Sequence, residues 1–308
     1  MNKIKVIVIG GPTASGKSRL AIDLAKEING EIINADSMQV YGDTPVLSAI
    51  PSKEEQDGIV HHLFSIYESD IRGNVVDWLE ECCKKIRQIA KKGKIPIVVG
   101  GSGMYLQQLV EGTTPIPPVP EQIRAKIAKE LKDSSLMQMY QKLQEVDAES
   151  ARKISRNDKS RIIRALEIFE GTGKKASDWY KIPMKKMLPE GDFLVIKLLP
   201  QLSELEKNCA ARFEKMMQNG ALQEVQNLLK KNVAQDMPAA KALGVPELTD
   251  YLLHKISLEG AVKLAVLHTR QYAKRQLTWF RNKMNAHISL GCCYRGEKNV
   301  VDEVKKAL

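Results

Sequence analysis

Apolar and polar positions alternate along this chain in two different periods, and the period changes mark out its parts. Ile4–Ile9 is, Lys5 aside, a continuous, largely β-branched apolar run, the pattern of a strand buried on both faces. From Ser18 to Ile28 the apolar residues Leu20, Ile22, Leu24, Ala25 and Ile28 recur at helical spacing, and Gly30 is placed to end that helix. Glu31–Asn34 predicts a short second strand, Val75–Lys92 a helix closed by Gly93, Ile95–Val99 another buried strand, and Met104–Val110 a further helix. Strands alternating with helices predict an α/β fold built on a parallel sheet with flanking helices. Ligands of such sheets bind outside the carboxyl ends of the strands. Gly10–Ser18, Asp36–Gln39 and Gly100–Gly103 fall there.

The pattern breaks at residues 111–120, a proline-rich stretch with little capacity for helix or strand. Beyond it, Gln122–Glu170 carries almost only helical spacing, until Gly171 and Gly173. Phe193–Leu199 predicts a return to the sheet, and the remainder is helical, notably Ser257–Lys283. The expected organisation is a core in two pieces, 1–114 and 186–308, interrupted by an inserted all-helical module at 115–185.

Composition limits the function classes. In 308 residues, 43% are apolar and 27% charged, which excludes disorder over most of the chain. No apolar run approaches the ~18 residues of a membrane span. The N-terminus leads straight into the first strand without a signal-peptide core, so no membrane association and a cytoplasmic location are expected. Cys82, Cys83, Cys209, Cys292 and Cys293 lack the C-x₂-C spacing of a zinc site, and an odd count in a chain this long argues against a disulfide framework. Reduced, partly buried thiols are expected. His61-His62 lacks companion ligands and is read as structural or as polar lining.

Charge adds information once it is located. The net +10 is absent from residues 1–110, which are neutral, while residues 151–186 alone carry +7. A basic segment beside a neutral one points to a polyanionic partner such as nucleic acid.

The chemistry begins at Gly11-Pro12-Thr13-Ala14-Ser15-Gly16-Lys17-Ser18, which matches G-x₄-G-K-S/T between a predicted strand and a predicted helix. In such a P-loop, glycines let backbone N–H groups curl around phosphate. The helix N-terminus adds partial positive charge, Lys17 a full charge, and Ser18 a hydroxyl for Mg²⁺. The loop recognises a diphosphate-like group, whether of ATP or of another organic diphosphate. Glycines follow Ile95–Val99 where a Walker-B acid would stand, which lowers the case for a plain ATPase. Asp36 follows the second strand and could ligate Mg²⁺, bind a ribose or act as a general base. Ser37 and Gln39 could meet a base edge, Gln being suited to adenine. Arg161 and Arg164 share a helix face and, with Lys159, could clamp phosphates. Arg270, Lys274 and Arg281 lie at about 0°, 40° and 20° around a helix, one basic stripe. Tyr272, Trp279 and Phe280 lie off it and are read as core.

These residues, in this order, resemble the tRNA dimethylallyltransferase (tRNA isopentenyltransferase) family, in its bacterial form. The resemblance rests on Gly-Pro-Thr-Ala-Ser-Gly-Lys-Ser at 11–18, Asp-Ser-Met-Gln-Val-Tyr at 36–41 and Val-Gly-Gly-Ser-Gly-Met-Tyr at 99–105. It continues in Asn-Asp-Lys-Ser-Arg-Ile-Ile-Arg-Ala-Leu-Glu at 157–167, Arg-Phe at 212–213 and Thr-Arg-Gln-Tyr-Ala-Lys-Arg-Gln-Leu-Thr-Trp-Phe-Arg at 269–281. It implies a P-loop NTPase-like core and transfer of a dimethylallyl group from dimethylallyl diphosphate to N6 of the adenosine just 3′ of the anticodon. It further implies Mg²⁺ as cofactor, held at Ser18, and a helical insertion gripping the tRNA anticodon stem-loop; a monomer is expected. By the same resemblance Asp36 is the general base, assisted by Thr13. Gly11, Pro12, Thr13, Ala14, Ser15, Gly16, Lys17, Ser18 and Arg212 hold the diphosphate or a nucleotide. The tRNA contacts fall on Asp36, Ser37, Met38, Gln39, Ser102, Arg124, Ser160, Arg161, Ile162, Ile163 and Arg164.

The chain departs from the family pattern at two places. Gly42-Asp43-Thr44-Pro45-Val46-Leu47-Ser48-Ala49 replaces Arg/Lys-Gly-Met-Asp-Ile-Gly-Thr-Ala, and Gly244-Val245-Pro246 replaces Gly-Tyr-Arg/Lys. The resemblance therefore assigns no RNA contact at 241–246. Three other readings fit parts of the sequence: an isopentenyltransferase acting on free AMP or ADP, a small-molecule P-loop kinase, and a non-catalytic RNA-binding ATP switch.

Overall fold

A computed structural model of the chain describes residues 3–308. In chain order the first elements are β1 (Ile4–Gly10), α1 (Lys17–Ile28), β2 (Gly30–Asn34), α2 (Pro45–Ser48), α3 (Lys53–Gln56), β3 (His61–His62), α4 (Val75–Lys91), β4 (Ile95–Gly100) and α5 (Gly103–Glu111). Then come α6 (Glu121–Asp133), α7 (Leu136–Val146), α8 (Ala148–Lys153), α9 (Lys159–Thr172) and α10 (Ala176–Trp179). The chain ends with β5 (Gly191–Leu198), α11 (Leu202–Gln218), α12 (Ala221–Lys230), α13 (Val245–Leu252), α14 (Leu258–Lys283), β6 (Ile288–Leu290) and α15 (Lys298–Lys306).

The strands form one sheet in the order β3-β2-β4-β1-β5-β6, and every pairing is parallel. The chain leaves β1 for β2 on one side and later returns to β5 on the other, so the end of β1 lies where the strand order reverses. Alternation along β1 explains the apolar run that follows Lys5. Val6 and Val8 face one cluster with Trp78, Leu79 and Ile86 of α4 and Leu106 of α5. Ile7 and Ile9 face the other, with Leu20 and Leu24 of α1 and Val300 and Val304 of α15. A third cluster joins Phe213, Val225, Leu248 and Ala265 of the C-terminal helices with Leu47 of α2.

Three details differ from the pattern-based expectation. The helix cap at the end of α1 is Asn29, with φ 52°, whose N–H bonds to Ala25 O. Gly30 instead begins β2, where a Cβ would stand 2.8 Å from Ile97 Cδ1. The edge strands β3 and β6 are two and three residues long, too short for a period to register in the sequence.

Two compact units emerge. One comprises the chain up to Val110 together with Met187–Leu308; the other is Glu111–Lys186, against expected limits at 114/115 and 185/186. The second unit consists of α6–α10 around Ile127, Leu143, Ile162, Leu166 and Ile168, closed at its ends by an antiparallel bridge between Thr113 and Lys185. At its centre the buried Asp147 carboxylate accepts from the N–H and hydroxyl of both Ser150 and Ser177, at 2.6–3.0 Å. Among the described residues no helix is long and apolar enough to cross a membrane.

Candidate active site

The glycine loop leaves β1 and feeds directly into α1, whose first residue is Lys17. Ala14 and Gly16 take positive φ of 62° and 87°, the curl that turns N–H groups inward at a helix N-terminus. Two distant segments brace it from outside. Tyr294 N–H donates to Ser15 O at 3.0 Å, and the Asn208 side-chain amide donates to Ala14 O at 3.1 Å. A Cβ on Gly16 would come within 2.1 Å of Tyr294 O, so that position requires glycine for space as well as for φ. Ser15 Oγ is buried with no hydrogen-bond partner among the described residues.

Lys17 reaches back to Pro12 O at 3.3 Å. Burial lowers its pKa to about 8, with Asp36 opposing that shift and Arg212 adding to it. An arriving anion favours the charged form. Thr13 is held at both ends. Its Oγ1 accepts from Arg212 Nη1 at 3.0 Å, and its N–H donates to Gln276 Oε1 at 2.8 Å. Arg212 lies on α11, and burial pushes its pKa down.

The second strand end supplies the carboxylate. Asp36 N–H donates to Asn34 Oδ1 at 2.9 Å, and Asp36 Oδ1 accepts from Met38 N–H at 3.0 Å. Ser37 is tied to the turn after β4: its N–H donates to Ser102 Oγ at 2.8 Å, and the two hydroxyls lie 3.1 Å apart. That turn can approach because β4 ends in glycine; a Cβ on Gly100 would stand 2.0 Å from Ala35 O. The glycine found where a Walker-B acid would stand thus has a packing reason. Asp36, Ser37, Ser102, Thr13, Lys17 and Arg212 all belong to this one end of the sheet.

Gln39 is placed differently from its sequence reading. Its amide nitrogen donates to Ser48 O and Ala49 O, at 3.1 and 2.8 Å, so both hydrogens are spent tethering α2. Bidentate pairing with an adenine edge needs one of them, and what Gln39 can offer a ligand is Oε1. The departing segment 42–49 is itself anchored, since Glu224 caps α2 at Val46 N–H and Leu47 N–H, 2.6 and 3.0 Å.

The expected RNA-contacting residues of the helical unit divide by burial. Ser160 and Arg161 are exposed at the start of α9, and Arg124 is exposed on α6. Arg164 and Ile163 are half-buried. Ile162 is fully buried in the unit's core. Its side chain serves packing, a correction to its reading as a side-chain contact, because this face of α9 closes the helical bundle. Arg161 pairs with Asp158 at 3.0 Å and Arg164 with Glu167 at 3.4 Å. Exposed pairs one turn apart hold weakly and exchange readily for phosphate.

Helix α14 holds what sequence reasoning missed or misplaced. Phe280 is core and Trp279 packs beside it. Tyr272, however, is half-buried on the helix face that carries Gln276; burial and the Asp36 charge push its phenol pKa up. Its phenol is near enough to Asp36 to feel that charge. Arg270 is taken out of the basic stripe by Glu206 at 2.8 Å. Gln276, Asn208 and Tyr294 carried no local signal, since each acts on loops far away in sequence. Elsewhere, His62 pairs with the buried Glu31 at 2.7 Å, and burial pushes the Cys83 thiol up to about 11, both consistent with structural roles.

A divalent cation is implied by the P-loop. The donors on offer, the exposed Ser18 hydroxyl in the first turn of α1 and the Asp36 carboxylate, whose charge acts on Lys17, are hard oxygens of the kind Mg²⁺ takes beside substrate phosphate.

A family model described as IPP transferase matches residues 39–283. A tRNA dimethylallyltransferase of Pelagibacter ubique is 42% identical over 286 residues, covering 93% of this chain and 91% of that protein. One of Rickettsia canadensis is 39% identical, covering 94% and 89%. Among solved structures, a tRNA isopentenylpyrophosphate transferase from Bacillus halodurans superposes with a TM-score of 0.72 at 30% identity, covering 99% of this chain and 95% of that one. A eukaryotic dimethylallyltransferase acting on tRNA gives 0.75 at 34% identity, covering 90% and 70%.

Proposed function

The chain belongs to the IPP transferase family, and from that premise we propose that it moves a dimethylallyl group from dimethylallyl diphosphate to N6 of the adenosine 3′ of the anticodon in tRNA. It is a prenyltransferase with tRNA as acceptor. The observation that carries the finer reading is the convergence at one end of the sheet: a diphosphate loop with Lys17 and the Arg212–Thr13 pair on β1's side, and Asp36, Ser37 and Ser102 on the β2–β4 side.

The bond that forms joins N6 to the allylic carbon. The bond that breaks is the C–O bond to diphosphate, which leaves with the electron pair. An adenine amine is a weak nucleophile because its lone pair is delocalised, so stabilising the leaving group dominates. Backbone N–H groups of the loop, Lys17 and Arg212 take up the developing charge. Thr13 Oγ1 accepts from Arg212 and keeps its own hydrogen to donate. Asp36 Oδ1 is engaged by Met38, and Oδ2 takes the N6 proton. The Ser18 hydroxyl, with the Asp36 carboxylate, would hold Mg²⁺ together with the substrate's phosphate oxygens, and the ion would supply further neutralisation of the diphosphate. The basic 151–186 stretch, with Arg161 and Arg164, holds the RNA, and an unpaired loop base is presented at a cost of a few kcal/mol.

Incubation with labelled dimethylallyl diphosphate, Mg²⁺ and bulk tRNA, with AMP, ADP and ATP also present, tests this. Label in tRNA supports it. Label in AMP or ADP with none in tRNA sinks it in favour of a free-nucleotide acceptor, and phosphoryl transfer from ATP without prenylation sinks it in favour of a kinase.

A further inference from the structure

One buried side chain joins the two halves of the site, and the reaction scheme leaves it unused. Gln276, on α14, is 6% exposed. Its Oε1 accepts from Thr13 N–H at 2.8 Å, and its Nε2 donates to Gly101 O at 2.9 Å. Thr13 belongs to the diphosphate loop after β1. Gly101 belongs to the turn after β4, beside the carboxylate: a Cβ there would lie 3.1 Å from Asp36 Oδ2 and 2.5 Å from Gln276 Nε2. A single amide therefore spans from the loop assigned to the donor to the turn assigned to the acceptor.

The chemistry at this position calls for an amide. Its partners are one donor and one acceptor, both backbone. Glutamate could take the first and not the second; an aliphatic residue would leave both unpaired. The flanking residues of the helix hold Gln276 in place. Trp279 lies against Gly103 and Phe280 against Gly10, where added Cβ atoms would approach to 2.1 and 2.5 Å. Tyr272, Gln276, Trp279 and Phe280 follow the i, i+4, i+7, i+8 spacing of one helix face. That face is laid across the ends of β1 and β4, so a rigid helix of 26 residues carries the spacer.

We infer that Gln276 is a positioning residue for the transfer step, fixing the separation between the Thr13 loop and the Gly101 turn that lies beside Asp36. The inference rests on the donor and acceptor assignments proposed above. Affinity for each substrate comes from groups that Gln276 does not supply, namely Lys17, Arg212 and the RNA-facing arginines. Rate within the complete complex depends on the distance between reacting atoms, and a misplacement of about 1 Å costs on the order of 10²-fold.

The test is single-turnover transfer from labelled dimethylallyl diphosphate in preformed tRNA complexes of wild type, Gln276→Ala and Gln276→Glu. Affinities for donor and tRNA, and melting temperature, are measured in parallel. The expected result is a loss of about 10²-fold in the bound-complex rate with both affinities little changed. Gln276→Glu retains the Thr13 bond and the side-chain length; it should fold even if the alanine variant does not, and still lose rate. Active wild type with variant complexes reacting at its rate overturns the inference alone. So does a rate loss wholly accounted for by weakened binding and a lowered melting temperature, since that is a structural role. Wild type that prenylates no tRNA removes the underlying assignments and this inference with them.

Discussion

Arg212 Nη1 donates to Thr13 Oγ1 at 3.0 Å, joining α11 to the loop after β1 across 199 residues of sequence. The bond orients a hydroxyl whose remaining hydrogen can meet a leaving oxygen. Thr13→Ala should slow single-turnover transfer by about 10²-fold, the lower range for removing one preorganised donor. Arg212→Ala should cost more, because a charge is removed as well. In a double-mutant cycle the two should couple by about 1 kcal/mol or more. Strict additivity would mean that Thr13 and Arg212 serve the reaction separately.

Lys17 gives a pH dependence with a definite sign. Its folded pKa lies near 8 against 10.5 for the free side chain, mainly through burial. The empty folded state therefore binds fewer protons than the unfolded chain between about 8 and 10.5, and stability should rise with pH across that window. Binding of an organic diphosphate restores the charge. Calorimetry near pH 8.5, in buffers of different ionisation enthalpy, should show proton uptake that Lys17→Arg abolishes. Lys17→Met should raise the melting temperature of the empty protein while nearly eliminating transfer; an unchanged reaction rate would remove Lys17 from the diphosphate site.

Asp36→Asn keeps shape and the Met38 hydrogen bond while losing basicity. Transfer in the bound complex should fall at least ~10²-fold, the low end for general-base catalysis, with tRNA affinity changed much less. Collapse of binding with an unimpaired rate in whatever complex forms would assign Asp36 to recognition only.

Arg161 and Arg164 are 75% and 43% exposed in their side chains, within a 151–186 segment of net charge +7. Replacing both by Ala should weaken tRNA binding and flatten its salt dependence, by roughly 0.7–0.9 in log–log slope for each phosphate left without its arginine. Donor affinity should hold. Salt titrations with parallel slopes for wild type and variant would show that these arginines do not meet phosphate.

Much of this molecule is determined locally, and those parts are legible without coordinates. Ile4–Ile9 is apolar at every position but Lys5 because β1 is covered on both faces by α1, α15, α4 and α5, and burial of a strand on two sides leaves little polar alternation to read. The P-loop reads itself because eight adjacent residues make one turn at one helix N-terminus. Asp36 is legible as a residue just after a strand. Tertiary structure alone decided what those pieces meet. Gln276 is one of many polar residues on a long helix until folding sets it 2.8 Å from Thr13 and 2.9 Å from Gly101. Tyr272 looks like core until α14 turns it toward Asp36, and Gln39 looks free until Ser48 and Ala49 take its amide. Ile162 adjoins Arg161 in sequence, yet successive residues on a helix point about 100° apart, and only bundle packing determines which of the two is buried. Local spacing specifies an element and its turn chemistry. Partners brought together from more than 170 residues apart depend on how every intervening element packs, and no short window of sequence contains that information.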